Sequence, residues 1–154
     1  MKLIFEDPTY SFELLRAMAH APYNGADIGE VLKTGYRIEE GNDESWYEEW
    51  LKTAQFTEKI ANNSLEGGHN VSAREAYLRA SNYYRSAEFF IHRDPSDHRI
   101  IELSRKSREC FQKAGKLFEP EFEILEIPYE NTTLPGYFLK SENSNVLPDF
   151  NFQM

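Results

Sequence analysis

The segment from Ser72 to Phe90 constrains the fold of this 154-residue chain most, because it reads as one helix with apolar residues on two sides. At about 100 degrees per residue, one broad stripe holds mainly alanine and tyrosine. Its members are Ala73, Ala76, Tyr77, Ala80, Tyr83, Tyr84, Ala87, Phe90 and Ile91. A narrower stripe on the opposite side comprises Leu78, Asn82, Arg85 and Phe89. Both sides therefore need a partner, and for the second stripe it is either another helix of this chain or a further domain.

Four more helices are predicted around this one, which gives a mostly α fold. Asp7-Pro8 is typical of a helix start, and Gly67-Gly68 marks the end of the third helix. Ser72 and Glu75 have the spacing of a capping box, which places the start of the fourth helix at Ser72. The predicted helices span about 8–21, 27–38, 43–66, 72–93 and 96–118.

Two of these helices have further core candidates. The third carries one stripe of Trp46, Trp50, Thr53, Thr57, Ile60 and Ser64. Cys110 lies on the apolar face of the fifth helix, so we interpret it as a small core residue and not as a nucleophile.

The period changes from helical to alternating after Pro120. Apolar residues at Phe122, Ile124 and Ile127 precede a turn that uses Asn131, and a second apolar run follows it. This pattern predicts a C-terminal β-hairpin in residues 120–140. Residues 141–154 show no clear period, so a disordered tail is expected.

A spacing of 34 residues relates the fourth and fifth helices. Ala73, Tyr77, Ala80 and Tyr84 recur as Ser107, Phe111, Ala114 and Phe118. This is the tetratricopeptide period, and a true repeat would break the fourth helix near residues 79–81. The alternative is two long unbroken helices packed through small residues.

Charge and composition exclude several classes of function. The formal net charge of −9 argues against nucleic acid and against an anionic membrane surface as partners. The amino terminus lacks an apolar run long enough for a signal peptide, and a single cysteine forms no internal disulfide. A cytoplasmic location is therefore expected.

Catalytic patterns are absent from the 154 residues. There is no Gly-x-Ser-x-Gly elbow for a hydrolase nucleophile and no phosphate-binding or dinucleotide-binding glycine loop. His20, His69, His92 and His98 do not have the spacing of a metal site. We therefore expect no catalytic residue, no metal and no cofactor in this chain.

Three segments in order resemble a known family. They are residues 72–90, Cys110-Phe-Gln-Lys-Ala114, and Ile127-Pro-Tyr-Glu-Asn-Thr-Thr-Leu-Pro-Gly-Tyr-Phe138. Over about residues 25–139 the chain resembles α/β-hydrolases with a helical amino-terminal lid, which include pseudooxynicotine hydrolases, fungal polyketide-shortening hydrolases and acylaminoacyl-peptidase-like proteins. The resemblance implies that residues 1–119 form the lid domain. Residues 120–140 would then begin the hydrolase sheet.

The resemblance also implies what this chain would lack. In the family, the oxyanion segment and the serine, aspartate and histidine of the triad follow the hairpin, and no position here matches them. The chain is then a fragment, the product of a truncated gene or a stand-alone protein, and it is expected to be inactive alone. It would meet a small-molecule substrate of ester, amide or C–C type only together with the missing hydrolase domain.

Tyr83, Tyr84 and Arg85 are the candidates for a substrate-facing lid surface, because phenols and a guanidinium can orient a polar or aromatic substrate. The alternative is that both tyrosines belong to the core and that Arg85 pairs with an acidic neighbour. The alternative function is a stand-alone helical protein-interaction module of tetratricopeptide type. The sequence is compatible with either a monomer or a homodimer.

Overall fold

The computed structural model describes residues 3–139, so the tail predicted for residues 141–154 lies outside the described residues. Five α-helices are followed by one antiparallel hairpin, which confirms the predicted fold class. The elements are α1 (Pro8–Met18), α2 (Ile28–Gly35), α3 (Asp43–Glu66), α4 (Asn70–Glu88), α5 (His98–Gly115), β1 (Glu123–Tyr129) and β2 (Thr132–Phe138). Short 3-10 helices lie at Ala21–Tyr23 and Phe90–Arg93.

Side-chain caps define the start of four of the α-helices. Asp7 accepts hydrogen bonds from the amides of Thr9 and Tyr10, which confirms the start predicted at Asp7-Pro8. The other caps are Asp27 on α2, Asn42 on α3 and Asp97 on α5. Each satisfies amide groups that have no partner within the helix.

The predicted start of α4 is wrong. The helix begins at Asn70, two residues before Ser72, and its N-cap residue His69 provides no side-chain hydrogen bond. Gly68 has a φ of +75°, and this backbone conformation turns the chain directly from α3 into α4. Glu75 does not complete a capping box, and its Oε1 instead accepts from Nδ2 of Asn24 at 3.4 Å.

The broad stripe of α4 forms the centre of the core, as predicted. All nine of its residues are buried, although α4 ends at Glu88, before the predicted end near residue 93, and Phe90 and Ile91 lie in the 3-10 helix that follows. They pack between α3, which contributes Trp46 and Trp50, and α5, which contributes Leu103 and Cys110. Alanine on this stripe lets the three helices approach closely, while the aromatic rings fill the spaces between them.

The tetratricopeptide interpretation requires a break in α4, and the structure contradicts it. The helix runs without interruption from Asn70 to Glu88. Of the recurring residues in the later segment, Ala114 lies in the core with the α4 stripe, whereas Ser107 and Phe111 are only partly buried and Phe118 follows the end of α5.

The second side of α4 is covered by another element of the same chain. Nδ2 of Asn82 donates to the carbonyl oxygen of Ala17 at the end of α1, at 3.0 Å, and to that of Gly25, at 2.9 Å. Leu78 and Phe89 are partly buried against the core. Of the two partners considered for this stripe, another helix therefore supplies the cover around Asn82.

The hairpin extends from the end of α5. Its register pairs Glu123 with Phe138 and Tyr129 with Thr132, and Glu130 and Asn131 form the turn. The turn residue with a positive φ is Glu130, at 48°. Phe122 stacks on Phe111 with a centroid distance of 5.3 Å and so attaches the base of the hairpin to α5.

None of the helices within residues 3–139 combines the length and the apolar character that crossing a bilayer would need.

Candidate functional site

Tyr83, the first of the three predicted site residues, lies in the core with a side chain that is 0% exposed. Its hydroxyl donates to Oε2 of Glu30 at 2.7 Å and accepts from the amide of Asp27 at 2.9 Å. Arg79 also binds Glu30, at 3.1 Å. Burial, followed by the hydrogen bond to Glu30, raises the pKa of Tyr83, so the phenol stays protonated and holds the start of α2 against α4.

Tyr84 lies on the neighbouring side of α4, between α3 and α5. Its hydroxyl donates to Oε2 of Glu58 at 2.6 Å, and Nζ of Lys106 lies 3.4 Å from the same oxygen. Burial alone would raise the pKa of Glu58, but the hydrogen bond from Tyr84 and the charges of Lys106 and Lys113 lower it overall. Tyr84 and Glu58 line a cavity of about 220 Å³ whose walls are largely charged and polar.

Arg85 points away from both tyrosines, toward α1 and α5. Two adjoining cavities of about 220 and 380 Å³ share Ser81, Arg85, Ser107 and Phe111 as lining residues. We call this continuous depression the Arg85 groove. Its further lining residues are His20, Tyr23, Gly25, Leu78, Asn82, Glu88, Ser104, Arg108 and Tyr137.

Three elements position the walls of the Arg85 groove. The end of α1 and the 3-10 helix at Ala21–Tyr23 form one side, because Asn82 holds the Ala17 and Gly25 carbonyls. The opposite side is α5, joined to α4 by the Ser107 hydroxyl, which donates to the Ser81 carbonyl at 2.9 Å. Tyr137 of β2 closes one end and lies 5.0 Å from Phe111, measured between ring centroids.

The charges in the groove are predominantly positive. Arg85 is half-buried and makes no ion pair or side-chain hydrogen bond with any residue in the described part of the chain. Burial and then the nearby Arg16 lower its pKa, while Glu13 and Glu88 act in the opposite direction. Burial, followed by Arg85 and Arg16, lowers the pKa of His20, so this ring is neutral near pH 7.

Two groove residues were not recognised as site residues from the sequence. Asn82 was placed only on a stripe, yet it is buried and its Oδ1 has no partner within residues 3–139. Oε2 of Glu88 likewise has no hydrogen-bond partner within residues 3–139. Burial raises the pKa of the Glu88 carboxyl, although His92 acts to lower it. The two residues are six positions apart, which separates them by about 120° around the helix, so the sequence does not signal that both line one groove.

The hairpin offers a second surface. Ile124 and Leu125 are successive residues of one strand, so they point to opposite faces, and both are exposed. The further exposed apolar residues are Ile127, Tyr129, Leu134, Phe138 and Leu139. Two strands with apolar side chains on both faces have the pattern of a sheet that is covered on both sides.

Cys110 is confirmed as a core residue. It is buried on α5, and burial raises the pKa of its thiol to about 12. In the part of the chain that the structure describes, no three His, Cys, Asp or Glu side chains are grouped closely enough to hold a metal ion.

No protein-family model matches the chain, but curated proteins do. A hydrolase from a Fusarium species is 41% identical over 88% of this chain, and an alpha/beta hydrolase from Aspergillus fumigatus is 42% identical over 94%. The 20-hydroxy-prefusarin hydrolase of Gibberella moniliformis is 37% identical over 88%. In each case the match covers 33% of the relative, so the chain spans about a third of their length.

Proposed function

Because the chain belongs to the family of these fungal α/β-hydrolases, we propose that it forms the helical lid over the catalytic centre of a serine hydrolase. The single observation that carries this proposal is the match at 37–42% identity to relatives named as hydrolases, over 88–94% of this chain and 33% of theirs. The reaction would be cleavage of an ester, amide or C–C bond.

The exposed hairpin supports the proposal. An isolated two-stranded hairpin is marginal in water, and apolar residues such as Ile127 and Leu134 would be covered once further strands and helices join it. We infer that β1 and β2 are the first strands of the hydrolase sheet. The proposed boundary between the lid and this sheet lies at about residue 119, just before Phe122.

The Arg85 groove is the part of the lid that we propose to face the substrate. Arg85 provides a guanidinium with no acidic partner among the described residues, beside apolar walls that include Phe111. Tyr83 and Tyr84 enter this proposal as positioning residues, since their hydrogen bonds to Glu30 and Glu58 fix the rotation of α4. A lid of this kind excludes water and selects substrates by shape.

A chimaera tests the lid function. This chain would replace the matching third of the Aspergillus fumigatus relative, and kcat/KM would be measured on p-nitrophenyl esters of increasing acyl length. We expect a folded, active chimaera with an altered acyl-length profile, and an inactive 154-residue chain alone. A folded chimaera that retains the profile of the parent would contradict a selecting role.

The alternative of a stand-alone tetratricopeptide-like module is not favoured. It required a helical break in α4 that the structure lacks, and the relatives named above are hydrolases.

A further inference from the structure

We propose that the Arg85 groove binds the carboxylate of a small ligand that has a flat apolar body, a role that rests on the proposed lid function for its place in catalysis. The carboxylate would bind the guanidinium of Arg85, and the apolar body would lie between Phe111 and Leu78. This assignment defines a substrate class, an organic monocarboxylate, for the surface that the lid presents.

The first argument is the missing partner of Arg85. Arg74 lies over the ring of Phe118, and the other two partly buried arginines in residues 3–139 have carboxylate partners: Arg79 with Glu30 at 3.1 Å, and Arg99 with Asp97 at 2.7 Å. Arg85 has no carboxylate partner within ion-pair distance in residues 3–139, although burial removes part of its hydration. A half-buried charge without a counter-ion is costly, and a carboxylate that binds two of the three guanidinium nitrogens would offset that cost.

The second argument is the chemistry of the walls. Tyr23, Leu78 and Phe111 are the larger apolar side chains around the cavity of about 220 Å³, which adjoins one of about 380 Å³. Such volumes lie near the lower end of the range for small-molecule sites, about 300–1,000 Å³. Ser81 and Ser107 also line this cavity, and their hydroxyl oxygens lie 3.2 Å from each other.

The third argument is the balance of the surrounding charges. Arg16 on α1 and Arg108 on α5 add positive charge near Arg85. Of the two acids, Glu13 is engaged by Arg16 at 3.5 Å, and Glu88 faces His92 at 3.8 Å. Neither carboxylate lies within ion-pair distance of Arg85. The groove therefore favours an anion over a cation.

The test compares two probes of equal shape on the 154-residue chain. Cinnamate carries a carboxylate on a flat aromatic body, and cinnamamide replaces the charge by a neutral amide. Titrations followed by amide chemical shifts are expected to show cinnamate shifts at residues of the groove, with cinnamamide about tenfold weaker or more. No cinnamate binding, or equal affinity for the two probes, would overturn the proposal.

Variants locate the site. Arg85→Met is expected to weaken cinnamate binding about tenfold, whereas the control Arg105→Gln removes an exposed arginine of α5 outside the groove and should leave it unchanged. Arg85→Lys keeps the charge without the bidentate geometry, and an intermediate loss is expected. Equal binding by Arg85→Met and the unaltered chain would contradict the assignment.

Failure of the carboxylate-site proposal can be distinguished from failure of the lid proposal. Binding of cinnamate requires no hydrolysis, so an inactive chimaera would leave the binding result standing. Conversely, an active chimaera with an altered ester profile but no preference for cinnamate over cinnamamide would overturn only the carboxylate site.

Discussion

The Tyr83 hydroxyl donates a hydrogen bond to Oε2 of Glu30 at 2.7 Å and thereby joins the central helix α4 to α2, 53 residues earlier in the chain. The hydroxyl oxygen of Tyr83 also accepts a hydrogen bond from the amide of Asp27, the N-cap residue of α2. The position of α2 on the bundle is therefore set by a buried phenol of α4.

Replacing this hydroxyl should destabilise the bundle. We expect Tyr83→Phe to lower the free energy of unfolding by about 1–2 kcal/mol, because two hydrogen bonds to a buried group are lost while the ring remains. Urea unfolding measures the change, with Tyr36→Phe on an exposed ring as the control. Equal stability of the two variants would show that the Tyr83 hydrogen bonds contribute nothing to stability.

Asn82→Ala should loosen the cover on the second side of α4. The amide of Asn82 donates to the carbonyls of Ala17 and Gly25, and its loss leaves the Gly25 carbonyl without this donor in a buried place. We expect a loss of about 2–3 kcal/mol in urea unfolding. Asn63→Ala, at an exposed position of α3, is the control and should be neutral; a neutral Asn82→Ala would argue against a structural role for this amide.

The stability of the protein should depend on Glu58 at acidic pH. The folded state lowers the pKa of Glu58, so its contribution is complete above the unfolded pKa of about 4.3 and is lost as the pH falls through the lower folded value. Unfolding free energies measured from pH 7 to about pH 3 should therefore fall less steeply for Glu58→Gln than for the unaltered chain. Glu102→Gln is the exposed control, and parallel curves for Glu58→Gln and the unaltered chain would refute the prediction.

Gly115, the last residue of α5, should not tolerate a methyl group. A Cβ at this position would overlap the ring of Phe122, which leads into the hairpin. Gly115→Ala is therefore expected to destabilise the protein, although alanine is otherwise favoured over glycine in a helix by about 1 kcal/mol. Combining it with Phe122→Ala should remove the penalty, and an unchanged penalty in thermal unfolding would exclude the ring as its cause.

The helical core was predictable from sequence, whereas the partners of its polar groups were not. Periodicity alone assigned residues such as Tyr77 and Ala80 to the buried side of α4. The start of the helix was missed because the tight turn at Gly68 overrode the capping signal of Ser72. Local patterns cannot show that Tyr83 meets Glu30.

The candidate site, too, was predictable only in part from the sequence. The sequence placed Arg85 on a second side of α4, and that side does form a groove. Whether a guanidinium is paired depends on which acids the fold brings near it, and among the described residues it brings none within ion-pair distance of Arg85. The structure likewise adds Phe111 and Tyr137, which come from distant segments, to the walls around Arg85.

Hydrogen exchange in the hairpin tests the central claim most directly. The account predicts that amides of β1 and β2 exchange fast in the 154-residue chain and become protected when the chain is joined to the body of the Aspergillus fumigatus relative, because further strands then cover the exposed apolar residues. Strong protection of β1 and β2 in the 154-residue chain as a monomer, or fast exchange in both proteins, would contradict it.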